Sequence, residues 1–348
     1  MSRKKVILSE VAELAGVGIA TVDRLLNERG NVKPETALKI IRAARQLGLQ
    51  RILPAIYHKG LRLEVILARP YLPLIKRMNE AFMQLAPSLD RSVTIQRSLL
   101  KDDKAEHIAE RIRATTCNAV IIYAQEDPAI IGAVGAITAA GIPVITVISD
   151  LPTSARFAYA GIDHYAAGRT AGYFMAKFAR QPGRVIALCY DLGIRGHADR
   201  IRGLTDAINV HGAGLTLAER LEGRDDSEIS ERLLVDALKR HRDIVGVYNA
   251  GAPNDAVELA LRKSALQHQP IFIGHELTPQ SCKMLREGTM TLAIDQNPQQ
   301  QARLAVDILV HHFGYAEHPE FKTPYSATID FTLHGPENVG KTSDRTAS

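Results

Sequence analysis

The sequence predicts an α/β protein: an all-α helix-turn-helix headpiece followed by a two-lobed core of parallel sheets. Three observations carry that expectation. Basic charge is confined to one end, since residues 1–62 hold 12 Lys/Arg against 5 Asp/Glu while residues 63–348 hold 31 against 33. Hydrophobic spacing in the basic segment marks three short helices. Beyond it, ten short apolar runs alternate with nine helical patterns, the rhythm of parallel sheets covered by helices.

The composition fits. A chain of 348 residues, 46% hydrophobic and 23% charged, exceeds one ordinary core and is neither collagen-like nor disordered. Its apolar runs all fall short of 18 residues, so no membrane span is expected. The Met-Ser-Arg-Lys-Lys start resembles a signal n-region, but Ser9, Glu10 and Glu13 interrupt the apolar stretch from Val6 to Leu14, and a cytoplasmic location is expected. Cys117, Cys189 and Cys282, odd in number and far apart, suit reduced thiols rather than a disulfide framework.

In the headpiece, Ser9 is placed as an N-cap, with Val11, Ala12, Leu14 and Ala15 as the apolar face and Gly16 ending the helix. A second helix runs from about Ile19 to Asn27 with Val22, Leu25 and Leu26 inward. The third opens at Pro34, with Glu35 favoured by the helix dipole. It buries Ala37, Ile40, Ile41, Ala44 and Leu47 and closes at Gly48. This is the helix-turn-helix layout. With the second helix in a major groove, Ile19, Ala20, Asp23 and Arg24 face the bases, and Thr21, Asn27, Arg29 and Lys33 reach phosphates. The competing reading is a helical dimerisation module whose cations are merely solvated.

The strings EVAELAGVGIATVDRLLN and VKPETALKIIRAARQLGL resemble the DNA-binding headpiece of the LacI/GalR family of bacterial repressors. Two departures stand out. Gly18 replaces the Ser that usually follows the Gly-Val of the turn, and Asp23 replaces the Ser usually found before the recognition-helix Arg. Phosphate anchoring at those two positions is not implied. A carboxylate at Asp23 would repel phosphate, accept from a cytosine amino group, or orient Arg24. Family members often continue into a hinge helix carrying a minor-groove Leu. Here QRILPAIYHKGLRL contains Pro54 and Gly60, leaving either one helical turn at 55–59 or a flexible linker. The expected divisions are 1–50 headpiece, 51–62 hinge, 63–334 core and 335–348 polar tail.

Strands are expected at 63–68, 93–96, 119–123, 143–148, 156–160, 184–189, 215–219, 244–248, 270–274 and 290–294. Helices are expected at 73–87, 103–115, 128–140, 164–180, 197–212, 226–241, 254–265, 278–287 and 298–313. Ten strands exceed one comfortable sheet, so two lobes with a cleft beyond their strand ends are expected. The resemblance extends here through GIDHYAAGRTAGYF, RGHADRIRGLTDAI, FIGHELT and AIDQNPQQQARLAVDIL. It implies the type I periplasmic-binding-protein fold, with lobe crossovers near 161–163, 294–297 and 322–325.

Sugar sites need planar donors and acceptors for vicinal hydroxyls. The resemblance makes Arg200 the fork for two hydroxyls, with Asn249, Glu276 (where the family often has Asp) and Gln296 as partners. Asp163 joins them, or else simply caps its helix. In lobe one, Gln125 and Asp150 are offered, with Ser149 beside the latter. Ile148 stands where the family usually has Asp, and Tyr71 walls the cleft or packs on the surface.

No GxSxG, P-loop or HExxH string occurs. His311, His312 and His318 lack ligand-spaced partners and read as a polar turn. No enzyme activity, metal or cofactor is expected. The expected protein is a ligand-responsive transcriptional regulator, a repressor binding a palindromic operator as a homodimer, with a monosaccharide or polyol effector. A solute receptor serving a transporter is the alternative. The tail has no heptads, so no tetramer is expected.

Overall fold

A computed structural model describes residues 8–27, 29, 32–47, 60–251, 253–264, 266–315 and 327–339. The hinge turn considered at 55–59, Gly48, His318 and the crossover expected at 322–325 lie outside the described residues.

The headpiece comprises α1 (Leu8–Ala15), α2 (Ile19–Leu26) and α3 (Pro34–Gln46). Gly16 takes φ +66°, the left-handed geometry that lets the chain leave α1 and enter α2 within three residues. Val11, Ala12, Ala15, Val22, Leu25 and Leu26 pack against Ala37, Ile40, Ile41 and Ala44, with Leu47 at the edge. Leu14 departs from expectation: it is 47% exposed. At 100° per residue it points well away from the arc shared by Val11, Ala12 and Ala15. Ser9 lies inside α1, which begins at Leu8, so it is not the cap. Gly18 occupies the N-cap of α2 without a side-chain bond.

The first lobe is a sheet of six strands. Along the chain these are β1 (Leu61–Ala68), β2 (Val93–Leu100), β3 (Ala119–Ile122), β4 (Val144–Val147), β5 (Ala158–Ile162) and β11 (Ala327–Ile329). Their spatial order is β11-β5-β4-β3-β1-β2, parallel throughout. The period-2 pleat sends Leu63, Val65 and Leu67 of β1 towards α4 (Pro73–Leu85) and α12 (Pro298–His312). Ile66 and Ala68 face α5 (Ala105–Arg113) and α6 (Pro128–Ala139) instead. Glu64, in the middle of this apolar strand, is fully buried. It is held as a carboxylate by Arg111 (2.7 and 3.0 Å), Thr115 (2.6 Å) and Ser98 (2.5 Å).

The second lobe repeats the plan. Its strands are β6 (Gly183–Cys189), β7 (Leu215–Glu222), β8 (Ile244–Gly251), β9 (Ile271–His275), β10 (Leu292–Asp295) and β12 (Thr332–His334). They lie in the order β12-β10-β9-β8-β6-β7, with only β12 antiparallel to its neighbour. Helices α7 (His164–Phe178) and α8 (Arg195–His211) cover one face. The other is covered by α9 (Ser227–Arg240), α10 (Asn254–Lys263) and α11 (Pro279–Arg286). Helices α7 and α8 meet through glycine. A Cβ on Gly168 would sit 1.9 Å from the Arg200 carbonyl oxygen, and one on Gly203 2.2 Å from that of Tyr165.

The ten expected strands are present, though β5 and β10 each start two residues later than expected, and β11 and β12 are additional. They move the third crossover. Ile329 pairs in the first sheet and Thr332 in the second, so the chain crosses at Asp330–Phe331 rather than at 322–325. The other crossovers, between β5 and α7 and between β10 and α12, stand where expected. The three cysteines are free, two of them buried. Among the described residues no helix is long and apolar enough to cross a membrane.

Candidate functional site

Between the carboxyl ends of the two sheets lies a cavity of about 190 Å³, space for on the order of a dozen water-sized groups. The first lobe contributes Arg69, the Leu72–Ile75 turn, Tyr123, Ile148 and Ser149. The second supplies Arg200, three histidines (His164, His197, His275) and, from its strand ends, Asp225, Asn254, Glu276 and Gln296. All six described non-glycine residues with positive φ stand at strand ends or crossovers around this cleft: Arg69, Ile148, Arg224, Asp225, Glu276 and Asn297. Left-handed backbone at such positions is strained, and strain of this sort gathers at ligand clamps.

Arg200 is 3% exposed. Its Nη1 donates to the Ala250 carbonyl (2.7 Å) and its Nε to His164 Nδ1 (3.1 Å). No carboxylate comes within ion-pair range of it among the described residues, and burial pushes its pKa down. Burial, reinforced by Arg200, also pushes the histidines down, His197 to about 3 and His164 and His275 well below the usual range. The cavity therefore presents two buried cations among neutral rings: Arg69, paired with Asp103 and Asp225, and Arg200, which has no carboxylate within ion-pair range among the described residues. Two of its buried polar atoms, His275 Nδ1 and Gln296 Oε1, have no hydrogen-bond partner among the described residues. Such atoms are costly unless something else bonds them.

Glu276 accepts from Gln296 Nε2 (2.5 Å) and from Arg77 Nη1 (2.8 Å). Arg77 also forks onto Asp295 (2.6 and 3.1 Å). Burial raises both carboxyls, but the bidentate Arg77 holds Asp295 below its usual range, while the nearby Asp295 charge helps push Glu276 up to about 7. The lobes are tied across the cleft by Arg69 to Asp225 (3.0 Å), Tyr190 to Asp103 (3.0 Å) and Gly196 N to Ser149 Oγ (3.2 Å). Burial pushes Asp225 up to about 6 although Arg69 opposes it.

Of the residues expected from sequence, the structure brings Arg200, Glu276 and Gln296 together on the cavity wall. Asn249 is buried behind that wall, donating to Asn254 Oδ1 (2.6 Å). Asp150 is taken by Arg156 (2.6 Å) and Thr146 (3.0 Å) and does not line the cavity. Asp163 is exposed and caps α7 by accepting from Ala166 N (2.9 Å). Gln125 is half-buried outside the lining, and Tyr71 is 69% exposed, a surface side chain. Sequence reasoning missed Arg69, the three histidines, Asp225 and Asn254. The available signal was the place of each, at or just beyond the carboxyl end of a strand or at the first turns of the next helix.

On the headpiece, Ile19, Ala20, Arg24, Arg29 and Lys33 are exposed, while Thr21, Asp23 and Asn27 are half-buried. Asp23 Oδ1 accepts from Asn27 Nδ2 (2.6 Å), one helical turn on. The carboxylate is thus engaged within its own helix.

Similarity to known proteins divides along these two regions. Residues 7–51 match the family model of bacterial regulatory proteins, lacI family, and residues 65–316 that of the periplasmic binding protein domain. The chain is 25% identical over 192 residues to the ribose import binding protein RbsB of Salmonella typhimurium, covering 54% of this chain and 63% of that protein. Its Escherichia coli counterpart gives 25% over 189 residues, 52% of this chain and 60% of that one. The chain thus spans less than two thirds of the length of these relatives. A glucose-galactose binding protein from Geobacillus stearothermophilus superposes with TM-score 0.70 at 20% identity, over 80% of this chain and 99% of that one. A transporter solute binding protein from Burkholderia graminis, in complex with D-arabinose, gives TM-score 0.70 at 22% identity, over 81% and 97%. The chain belongs to the periplasmic binding protein domain family, and with its lacI-family headpiece it has the architecture of a LacI-family bacterial regulator.

Proposed function

We propose that the protein is a cytoplasmic transcriptional repressor that binds a near-palindromic operator as a homodimer and responds to a monosaccharide or polyol. One observation carries the reading: a DNA-reading headpiece bearing the basic excess shares a chain with a cleft whose polar groups want hydroxyl partners. Arg200, Glu276 and Gln296 would contact the effector directly. Asn249 would act through Asn254. The names of the relatives, which bind ribose, glucose, galactose and arabinose, support a sugar.

In the headpiece, Ile19, Ala20 and Arg24 would face base edges from the start of the recognition helix. Thr21, Arg29 and Lys33 would hold phosphates, and Asp23 would act mainly through Asn27. Two headpieces, held by core dimerisation, match two half-sites. Effector binding changes their spacing through a difference in affinity between two lobe arrangements, on the order of 1–3 kcal/mol.

The test is fluorescence anisotropy with the full-length protein and duplexes selected from a random pool. Selected duplexes should bind tightly, lose affinity steeply with salt, and respond to a sugar that also raises the melting temperature. Failure to enrich any duplex over random DNA would sink the regulator reading. Similarity to import binding proteins favours one second reading, a transporter's solute receptor, and recovery of the protein from a periplasmic fraction would establish it.

A further inference from the structure

We propose that His164 is the positioning residue that joins the Arg200 fork to the angle between the lobes. The inference rests on the reading of Arg200 as an effector contact, but its geometry stands without the effector. His164 is the first residue of α7, just beyond the first crossover, and is 7% exposed. Both ring nitrogens are engaged. Nδ1 faces Arg200 Nε at 3.1 Å, and a guanidinium only donates, so Nδ1 is the acceptor. The proton is therefore on Nε2, which donates to the Ile148 carbonyl at 2.5 Å, with the Tyr159 hydroxyl alongside at 3.2 Å.

Ile148 belongs to the first lobe and His164 to the second, so this bond spans the lobes beside their hinge. Ile148 is itself held in an unfavourable state: a β-branched residue at φ +65°. Its amide donates to Gln301 Oε1 (2.8 Å), and Gln301 Nε2 donates to the carbonyl of Gln296 (2.9 Å) in the second crossover. One unbroken run of hydrogen bonds thus leads from Arg200 through His164, Ile148 and Gln301 to Gln296, whose own side chain lines the cavity. Turning the lobes apart pulls Ile148 from His164. That frees the ring and with it the anchor of the Arg200 Nε. An effector that fixes Arg200 fixes the ring, and the ring fixes the hinge.

The experiment uses the full-length chain without sugar. Histidine ¹⁵N spectra, with the His164 signal assigned by its loss in His164→Gln, should show an unprotonated Nδ1 and a protonated Nε2. The Nδ1 signal should move in Arg200→Met. Hydrogen exchange at the Ile148 amide should be about tenfold faster in His164→Phe, which keeps a ring but no polar atom. Solution scattering of that variant should report a larger radius of gyration. His164→Gln, whose amide still offers a donor to Ile148, should restore slow exchange. If His164→Phe fails to fold, His164→Asn, too short to reach the Ile148 carbonyl, takes its place with the same expectation. A proton on Nδ1, or unchanged Ile148 exchange in a folded His164→Phe or His164→Asn, overturns the proposal. A wild-type protein that shows the spectra and exchange described but is not stabilised by D-ribose or D-arabinose would count against the sugar reading alone.

Discussion

Replacing Arg200 by methionine separates what this residue does for the fold from what it does for a ligand. Arg200 is 3% exposed, and among the described residues it makes two protein hydrogen bonds and has no carboxylate in reach. Burying an ion in that state costs several kcal/mol, and its two charge-assisted bonds return roughly 1.5–3 kcal/mol each. Methionine removes the charge and refills much of the volume with an adaptable apolar chain. It leaves His164 Nδ1 and the Ala250 carbonyl without donors, at roughly 1–3 kcal/mol each. These contributions nearly cancel. The ligand-free melting temperature should therefore stay within about 5 °C of wild type, the effect of up to ~2 kcal/mol on a chain of this size. Binding should not survive. Two guanidinium–hydroxyl bonds lost amount to roughly 3–6 kcal/mol, a drop of about 10²–10⁴ in affinity. A sugar present at 100 times the wild-type Kd stabilises the wild type by about 2.7 kcal/mol, and the variant by roughly 0.4 kcal/mol or less. A thermal-shift series with the best stabiliser from a screen of pentoses and hexoses, followed by calorimetric titration, reads both quantities. A Kd within about threefold of wild type, a shift of less than ~1 kcal/mol, would refute the assignment of Arg200.

Four other substitutions test separate links. Folded Glu276 is pushed up to about 7 from 4.5, mainly by burial and then by Asp295, so the folded chain keeps a proton that the unfolded chain releases between those values. Its stability contribution is full below about pH 4.5 and is lost as pH rises through about 7, and Asp225 at about 6 adds in the same sense. Glu276→Gln should therefore flatten the fall in melting temperature across that window, measured by calorimetry in a pH series. Gly168→Ala drives a Cβ to 1.9 Å from the Arg200 carbonyl; it should cost at least about 1–3 kcal/mol and weaken sugar binding as α8 moves. Gly135→Ala, in α6 with nothing within 4 Å of its Cβ, should instead raise stability by about 0.5–1 kcal/mol, both variants being measured by urea titration. Asp23→Ala removes an acid from the proposed DNA-contacting helix together with its bond from Asn27. Affinity should rise about tenfold, with the salt slope steeper by up to roughly 0.9, because one negative charge leaves the headpiece surface. Weaker binding with relaxed preference at one base pair would mean that Asp23 reads a cytosine amino group.

The fold was largely legible because its signal is local. Runs such as LEVILA and AVIIY declare buried strands, and the helical patterns between them set the α/β rhythm. The strands at Ala327–Ile329 and Thr332–His334 escaped because three residues are too few to show alternation, and the crossover was misplaced with them. The site was less legible because it exists only after folding. Arg69 and Asp225 are 156 positions apart, yet they meet across the cleft. The histidines sit in apolar surroundings where a core role is the plainer reading. Asp150 looked like a ligand group because sequence does not disclose that Arg156 claims it first, whereas Asp163 takes the helix-cap role that its place before α7 already offered.

The placement of α12 and β11 also sets a timetable for synthesis. Among the described residues the headpiece core draws on those between Leu8 and Leu47, so it can form once that stretch leaves the ribosome. The first lobe has to wait: Ala302, Ala305, Val306, Ile308 and Leu309 of its core, and the edge strand ending at Ile329, are made more than 250 residues after the headpiece. At roughly 5–20 residues per second, the gap is on the order of half a minute. A nascent chain therefore carries a finished headpiece well before its cleft can form, and during that interval the apolar face of the half-built first sheet lacks the helix that covers it.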